Sequence, residues 1–145
     1  MQVQDVMTRE VELIDPNTTI RDAAKKMREE DVGALPVGEK DRLVGMITDR
    51  DIVMRAVAVE RSPANTMVRD VMSEKICYCF EDESLEQAAK NMADHQVKRL
   101  AVLNRNKRLV GMLALADLGR CEPNAAQIAL QGISKHTGEP RHMAH

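Results

Sequence analysis

The chain contains an internal repeat, and both copies carry an aspartate at the matched position. The segment Arg42–Met46 (Arg-Leu-Val-Gly-Met) returns unchanged, 66 residues later, at Arg108–Met112. Asp51 and Asp117 each follow the glycine of this segment by six residues. Each copy of a repeat is one structural unit that buries its apolar face on its neighbour. Two copies are too few for a solenoid, so the sequence predicts a pseudosymmetric globule with two equivalent clefts.

The periodicity of apolar residues changes in the same order within each copy. A short strand comes first, followed by a helix that opens on a hydroxyl residue, two strands joined by a polar turn, and a closing helix. Each copy is therefore predicted to be a β-α-β-β-α unit. The predicted elements are Val11–Ile14, a helix from Thr19, Ala34–Val37, Leu43–Ile47 and Asp49–Val59 in the first copy, and Ile76–Phe80, a helix from Ser84, Leu100–Leu103, Leu109–Leu113 and Leu115–Arg120 in the second.

Length and composition fit two small halves that depend on each other. The chain has 145 residues, of which 43% are hydrophobic, but Tyr78 and Phe80 are its only aromatic residues. The core must therefore be built from aliphatic side chains and the ten methionines. The expected divisions are repeat one at 1–61, repeat two at 62–121, and a short helical segment with a polar tail at 122–145. The helical segment is expected over Ala125–Leu130 and the tail from Lys135.

Several classes of function are disfavoured by the sequence. A net charge of −2 argues against nucleic-acid binding, which requires a basic face. No apolar run approaches the roughly 20 residues that span a bilayer, and the N-terminus lacks a basic and apolar leader, so we expect a cytoplasmic protein without membrane contact. No Ser-His-acid or Cys-His arrangement and no phosphate-cradling glycine-rich loop is apparent, so we expect no enzymatic activity.

The three cysteines suggest a reducing compartment rather than a disulfide framework. Cys77 and Cys79 are expected on one face of a strand as structural thiols. Cys121 is a candidate for an intermolecular disulfide on oxidation. The cysteines do not combine with the tail histidines in a spacing typical of zinc sites, so we expect no metal site. Those histidines are His136, His142 and His145.

The segment Thr48-x-x-Asp51, which follows the glycine strand, has two interpretations. A helix N-terminus presents unpaired amides to an anion, a hydroxyl there can bond a phosphate, and a nearby carboxylate can accept both hydroxyls of a ribose. The same four residues also form a capping box without any ligand. The second copy keeps Asp117 but replaces the hydroxyl by Ala114. Both interpretations remain open at this point.

The tandem β-α-β-β-α order, with a hydrophobic-Gly-hydrophobic-hydrophobic-(Thr/Ser)-x-x-Asp segment closing the copies, resembles a pair of cystathionine-β-synthase (CBS) domains, the Bateman module. The similarity covers nearly all of residues 1–120. The run Gly33–Val37 followed by Leu43–Ile52 is similar to small stand-alone bacterial members of this family. The resemblance implies an α/β (α+β) fold in which the two repeats pack as a CBS pair.

The resemblance also implies a regulatory module that binds an adenosine nucleotide in clefts between the copies. The family's ribose-binding acid maps onto Asp51 and Asp117, its phosphate-side hydroxyl onto Thr48, and its basic residue onto Arg99. A hydroxyl at the start of the first helix is contributed by the opposite copy. One cleft would combine Asp51, Thr48 and Ser84, walled by Cys79 and Tyr78, and the other would combine Asp117, Arg99 and Thr19.

Neither cleft has the full set, because the first lacks the basic residue and the second lacks the phosphate-side hydroxyl. We expect one site to dominate. AMP, ADP, ATP, NAD and S-adenosylmethionine all remain candidates as the regulatory ligand, and no cofactor is required. A homodimer and a separate, unidentified effector protein are the expected partners. The alternative is a ligand-free dimeric interaction or scaffold protein.

Overall fold

The computed structural model describes residues 1–40 and 42–137, and the elements of the two copies follow one another in the same order. The first copy contains α1 (Ile20–Glu30), β1 (Ala34–Glu39), β2 (Arg42–Thr48) and α2 (Asp49–Arg55), with a 3₁₀ turn at Val57–Val59. The second contains α3 (Val68–Val71), β3 (Tyr78–Phe80), α4 (Leu85–His95), β4 (Arg99–Leu103), β5 (Leu109–Ala114), α5 (Leu115–Cys121) and α6 (Pro123–Thr137). A further 3₁₀ turn occupies Val3–Asp5. The predicted mixture of helices and small sheets is confirmed.

The predicted first strands are shorter than expected. Within Val11–Ile14, only Ile14 pairs, in a parallel bridge to Val37. Asp15 and Pro16 follow at once in a turn, and proline has no amide to continue the ladder. In the second copy, pairing is limited to β3, which runs parallel to β4.

Two helices also end at other residues than predicted. The helix expected over 49–59 ends at Arg55 and continues as the 3₁₀ turn. The segment expected as one or two turns over 125–130 is instead the 15-residue helix α6. Its first residue is Pro123, which is favourable at a helix start because its missing amide has no partner to lose. The predicted polar tail beyond 137, with His142 and His145, lies outside the described residues, as does the His136 side chain.

The two hairpins have the same register. Ala34 pairs with Thr48 in the antiparallel sheet of β1 and β2, and Arg99 pairs with Ala114 in the sheet of order β3-β4-β5. Each hairpin has a register shift at the matching place, after Val37 and after Val102. Two separate clusters of buried aliphatic residues lie behind these sheets.

The chain divides into two compact units that cross the boundary between the copies. One unit is Glu12–Ile76, and the other combines Met1–Val11 with the chain from Cys77 onward. The divisions 1–61, 62–121 and 122–145 describe the sequence repeat and stay a prediction of where each copy begins. The leading segment of each copy ends at Val11 in the first copy and at Ile76 in the second. Each leading segment therefore packs in the unit formed mainly by the other copy.

This exchange uses the same hydrogen bonds in both units. Thr8 and Met112 exchange two backbone bonds of 2.9 Å. Ser73 and Met46 do the same, at 2.9 and 2.8 Å. The matched residues Val3 and Val68, at the start of the two segments, donate to the carbonyls of Glu83 and Thr18 at 2.9 and 2.8 Å, and both valine side chains are fully buried.

The repeated glycine makes room for the exchanged segment. A Cβ at Gly45 would lie 2.7 Å from the Ser73 carbonyl oxygen, and one at Gly111 would lie 2.6 Å from the Thr8 carbonyl oxygen. Both distances are shorter than a carbon and an oxygen tolerate, and the obstacle is backbone that is itself held by two bonds. The glycine is therefore required by packing in both copies.

Helix α6 packs against α4, and the elements described in the first copy include no counterpart of α6. Small residues allow close packing, and Ala125, Ala126 and Ala129 join the same core as Ala89 of α4. In the matching helix α1, the counterpart of Ala89 is Ala24, which is exposed. The second copy thus has a larger core than the first.

We expect Gly45→Ala and Gly111→Ala each to lower the free energy of unfolding by about 1–3 kcal/mol, because the added methyl group displaces the exchanged segment. Gly119→Ala is the matched control. A Cβ at Gly119, within α5, meets no atom within 4 Å, so alanine should be neutral or stabilise by up to about 1 kcal/mol. Urea unfolding followed by circular dichroism measures all three. Equal midpoints for Gly45→Ala and wild type would contradict the packing role.

Candidate functional site

The first aspartate of the repeat closes a reciprocal cap at the start of α2. Oγ1 of Thr48 accepts a hydrogen bond from the Asp51 amide at 3.0 Å, and Oδ2 of Asp51 accepts one from the Thr48 amide at 2.9 Å. The Asp49 amide donates to the Gly33 carbonyl at 2.9 Å, and the Arg50 amide donates to Oδ1 of Asp49 at 2.8 Å. The amides expected to be free for an anion are therefore already paired.

The capping box leaves two groups for a ligand. Oδ1 of the half-buried Asp51 receives no hydrogen bond from the residues that the structure describes. The Thr48 hydroxyl uses a lone pair on the Asp51 amide and keeps its hydrogen to donate. Capping and ligand binding are thus compatible, because they use different atoms of the same two residues.

The second aspartate is held differently. Oδ2 of Asp117 accepts from the Ala114 amide at 2.8 Å, which matches the first copy. Oδ1 accepts from Nη2 of Arg120 in an ion pair. The Asp117 side chain is 9% exposed, whereas that of Arg120 is 70% exposed. Ala114 has no hydroxyl, so this cap consists of the carboxylate alone.

Arg120 was missed in the interpretation of the sequence. Its position three residues after Asp117 places both on one face of α5, and this spacing is the signal that could have found the pair. The residue three positions after Asp51 is Met54, so the first copy has no counterpart of the ion pair.

The predicted basic residue lies at the edge of the second hairpin. Arg99 is the first residue of β4, is exposed, and pairs directly with Ala114, the residue that precedes α5. In the first copy Ala34 occupies this place, opposite Thr48. A positive side chain next to the helix start is therefore present in the second hairpin and absent from the first.

The two predicted helix-start hydroxyls both cap. Oγ1 of Thr19 accepts from the Asp22 amide at 3.2 Å. Oγ of Ser84 accepts from the Gln87 amide at 3.1 Å, and the Gln87 side chain accepts from the Ser84 amide at 2.9 Å. Of the six predicted site residues, the Glu12–Ile76 unit holds Thr19, Thr48 and Asp51, and the other unit holds Ser84, Arg99 and Asp117.

The two residues predicted to wall a cleft differ in exposure. Cys79 is buried, and burial, with a smaller contribution from Glu83, raises the pKa of its thiol to about 12. Tyr78 is 42% exposed and meets the Phe80 ring edge to face at 5.7 Å. The Arg105 guanidinium lies over the Phe80 ring, 4.2 Å from its centre. Only the tyrosine is available to a molecule from solution.

Among the described residues, no group of three or more His, Cys, Asp or Glu side chains is arranged to hold a metal ion. All three cysteines are free, and Cys121 is exposed. None of the helices in the described part of the chain is long and apolar enough to cross a membrane.

Known protein sequences share the repeat of this chain. The sequence profile of the CBS domain matches twice, at residues 3–58 and 68–121. The chain belongs to the CBS-domain family. The CBS domain-containing protein YhcV of Bacillus subtilis is 42% identical over 134 residues, which are 91% of this chain and 94% of that protein. Hypoxic response protein 1 of Mycobacterium tuberculosis is 37% identical over 124 residues, 85% of this chain and 86% of that protein.

Solved CBS structures have the same fold. Hypoxic response protein I, crystallised with two coordinated zinc ions, has a TM-score of 0.76 at 36% identity, with 85% of this chain and all 100% of that chain covered. The CBS pair of MJ0100, in complex with 5′-methylthioadenosine and S-adenosyl-L-methionine, has a TM-score of 0.75 at 24% identity and coverages of 86% and 97%. CBSX2 in complex with AMP has a TM-score of 0.72 at 24% identity and coverages of 85% and 96%. The last two show the fold alone.

We expect the three thiols of this CBS pair to react at different rates with Ellman's reagent. Cys121 should react fastest because it is exposed, and Cys79 should stay unreactive at pH 8 because it is buried and protonated. Unfolding in guanidinium should release all three. Because the folded pKa of Cys79 is raised, its contribution to stability is complete below pH 9 and is lost as the pH rises towards 12. Rapid labelling of Cys79 in the native protein, identified by mass spectrometry, would contradict this ranking.

Proposed function

We propose that this CBS pair is a non-catalytic regulatory module that binds an adenosine-containing nucleotide. The observation that carries the proposal is the matched pair of aspartates, each anchored through Oδ2 to the amide that precedes its helix. The anchor fixes the carboxylate, so Oδ1 of Asp51 is presented without a partner among the described residues. Support also comes from two structures of the same fold, one with AMP and one with adenosine derivatives.

The chemistry of such a ligand fits the groups that remain. A ribose diol supplies two hydroxyl donors, and a carboxylate is an acceptor with several lone pairs. The hydrogen of the Thr48 hydroxyl and the guanidinium of Arg99 are suited to phosphate oxygens. The proposed contacts are therefore Thr48 and Asp51 in one unit and Arg99 and Asp117 in the other. Thr19 and Ser84 remain proposed as the two helix-start hydroxyls.

Ligand binding would act on a separate effector protein in the cytoplasm. A ligand shifts a conformational equilibrium only by its differential affinity for the two states. The module needs no cofactor for this role. AMP, ADP, ATP, NAD and S-adenosylmethionine are the candidates to be compared.

Thermal unfolding against these five ligands tests the proposal. A ligand at 100 times its Kd should stabilise the fold by about 2.7 kcal/mol, or roughly 5–10 °C in a chain of this size. Asp51→Asn should abolish or reduce the shift. The asparagine oxygen can still accept from the Thr48 amide and keep the cap, but its NH2 group replaces the oxygen that would accept from the ribose hydroxyls.

Asp22→Asn is the matched control. Asp22 also lies three residues after a threonine cap, at the start of α1, and is exposed. This variant should show the same ligand shift as wild type. An undiminished shift in the double variant Asp51→Asn/Asp117→Asn would contradict the assignment of the aspartates. If none of the five ligands shifts the unfolding temperature, both aspartates are capping residues only.

We also propose that two copies of the chain associate through α2 and the turn after it. Helix α2 contributes no buried side chain, and four large apolar residues here are between 53% and 59% exposed. This apolar strip consists of Val53, Met54, Val57 and Val59. If the strips of two identical chains pack against each other, the interface is isologous. The occupant we propose is a second copy, because its strip is equally apolar. The strip also favours the second candidate function, a ligand-free dimeric interaction protein.

Replacement of both Val53 and Val57 by Glu should convert the dimer to a monomer, because each interface would bury four unpaired carboxylates. Light scattering after size exclusion measures the mass. Val32→Glu is the control, since Val32 is 41% exposed but lies outside the strip. A wild-type monomer at all concentrations, or a dimer that survives the double substitution, would refute this interface.

A further inference from the structure

The two aspartate sites differ in one contact, which involves the outer carboxylate oxygen, Oδ1. In both copies Oδ2 is used by the amide before the helix, at 2.9 Å for Asp51 and 2.8 Å for Asp117. Oδ1 of Asp117 is used by Arg120. Oδ1 of Asp51 has no such partner in the described part of the chain, where the matching residue is Met54.

We propose that Arg120 competes with the ligand for the Asp117 carboxylate, so that the two aspartate sites bind unequally and the Asp51 site has the higher affinity. This inference rests on the proposed nucleotide binding. Arg120 is not one of the six predicted contact residues, and its ion pair would make the Asp51 site the dominant one.

The competition follows from the geometry of the ion pair. Nη2 of Arg120 already uses one lone pair of Oδ1, so a ribose hydroxyl that donates to Oδ1 must share this oxygen with the guanidinium. The Asp117 side chain is almost buried, whereas the Arg120 side chain is 70% exposed. Binding at Asp117 therefore weakens or displaces the ion pair, whereas binding at Asp51 disturbs no ion pair among the described residues.

The size of the effect is set by the strength of the pair. Ion pairs that reach solvent contribute about 0.2–1 kcal/mol. Removing Arg120 should therefore tighten binding at Asp117 by about 1.4- to fivefold, since 1.4 kcal/mol corresponds to a factor of ten. The pair is also screened by salt. The difference between the variants should shrink as the salt concentration rises.

The experiment isolates the Asp117 site by working in the Asp51→Asn background. Isothermal titration calorimetry with AMP and with adenosine is compared between this parent and the parent carrying Arg120→Met, the residue that the first copy has. Adenosine carries the ribose without a phosphate. We expect both ligands to bind about 1.4- to fivefold tighter to the Arg120→Met variant at low salt. The same gain should be smaller at 0.5 M NaCl.

Arg28→Met, in the same background, is the charge-matched control. Arg28 is exposed in the last turn of α1, so its removal changes the net charge equally without touching Asp117. It should leave adenosine binding unchanged. An equal gain with Arg28→Met would overturn the proposal, because the effect would then belong to net charge.

Other outcomes also decide between explanations. Weaker AMP binding with unchanged adenosine binding in Arg120→Met would overturn the proposal, because Arg120 would then be a phosphate contact. No change with either ligand would overturn it too. If wild type binds none of the five candidate ligands, the proposed nucleotide function fails together with this inference. Failure of the inference alone is recognised when wild type binds AMP and Arg120→Met does not tighten binding in the Asp51→Asn background.

Discussion

The reciprocal exchange of the leading segments is the constraint on which the rest of the structure depends. Thr8 in one unit and Ser73 in the other each form a two-bond bridge to the strand that carries the repeated glycine. The glycine is needed because a Cβ would occupy the place of the bridging carbonyl oxygen. Neither copy supplies all of its own core, since Val3 and Val68 are buried in the unit that the other copy mainly forms. The internal repeat therefore specifies two units that each need both copies.

At the first aspartate, one carboxylate group has atoms for both folding and binding. Oδ2 of Asp51 caps the helix, and Oδ1 keeps its lone pairs for a ligand. In both copies Oδ2 caps the helix by accepting a hydrogen bond from the amide of the residue that precedes it. Oδ1 takes no part in this bond. A capping role and a binding role are therefore not competing interpretations of Thr48 and Asp51, because they use different atoms. In the second copy the loss of the hydroxyl at Ala114 and the gain of Arg120 change this balance. Both copies thus have the carboxylate cap, and the atoms around it differ.

Divergence between the copies is concentrated on the outer faces of the units. The buried residues of the two copies match closely, while α6 covers α4 and the matching face of α1 carries exposed Ala24. The strip on α2 is apolar in the first copy, whereas its counterparts in the second include Gly119 and Arg120. These differences fall at exposed positions, which are not fixed by the core.

The sequence by itself determined the duplication, the order of elements, the hairpins, the helix caps and the family, because these depend on local periodicity and on residues close along the chain. It also located the aspartates and hydroxyls that cap. Only the tertiary structure decided that the leading segments change places, that α6 runs for 15 residues, and that Arg120 holds Asp117. The exchange and the length of α6 depend on packing between residues far apart in the chain, which no local pattern records. The ion pair has a local spacing, but spacing alone does not say which oxygen is occupied.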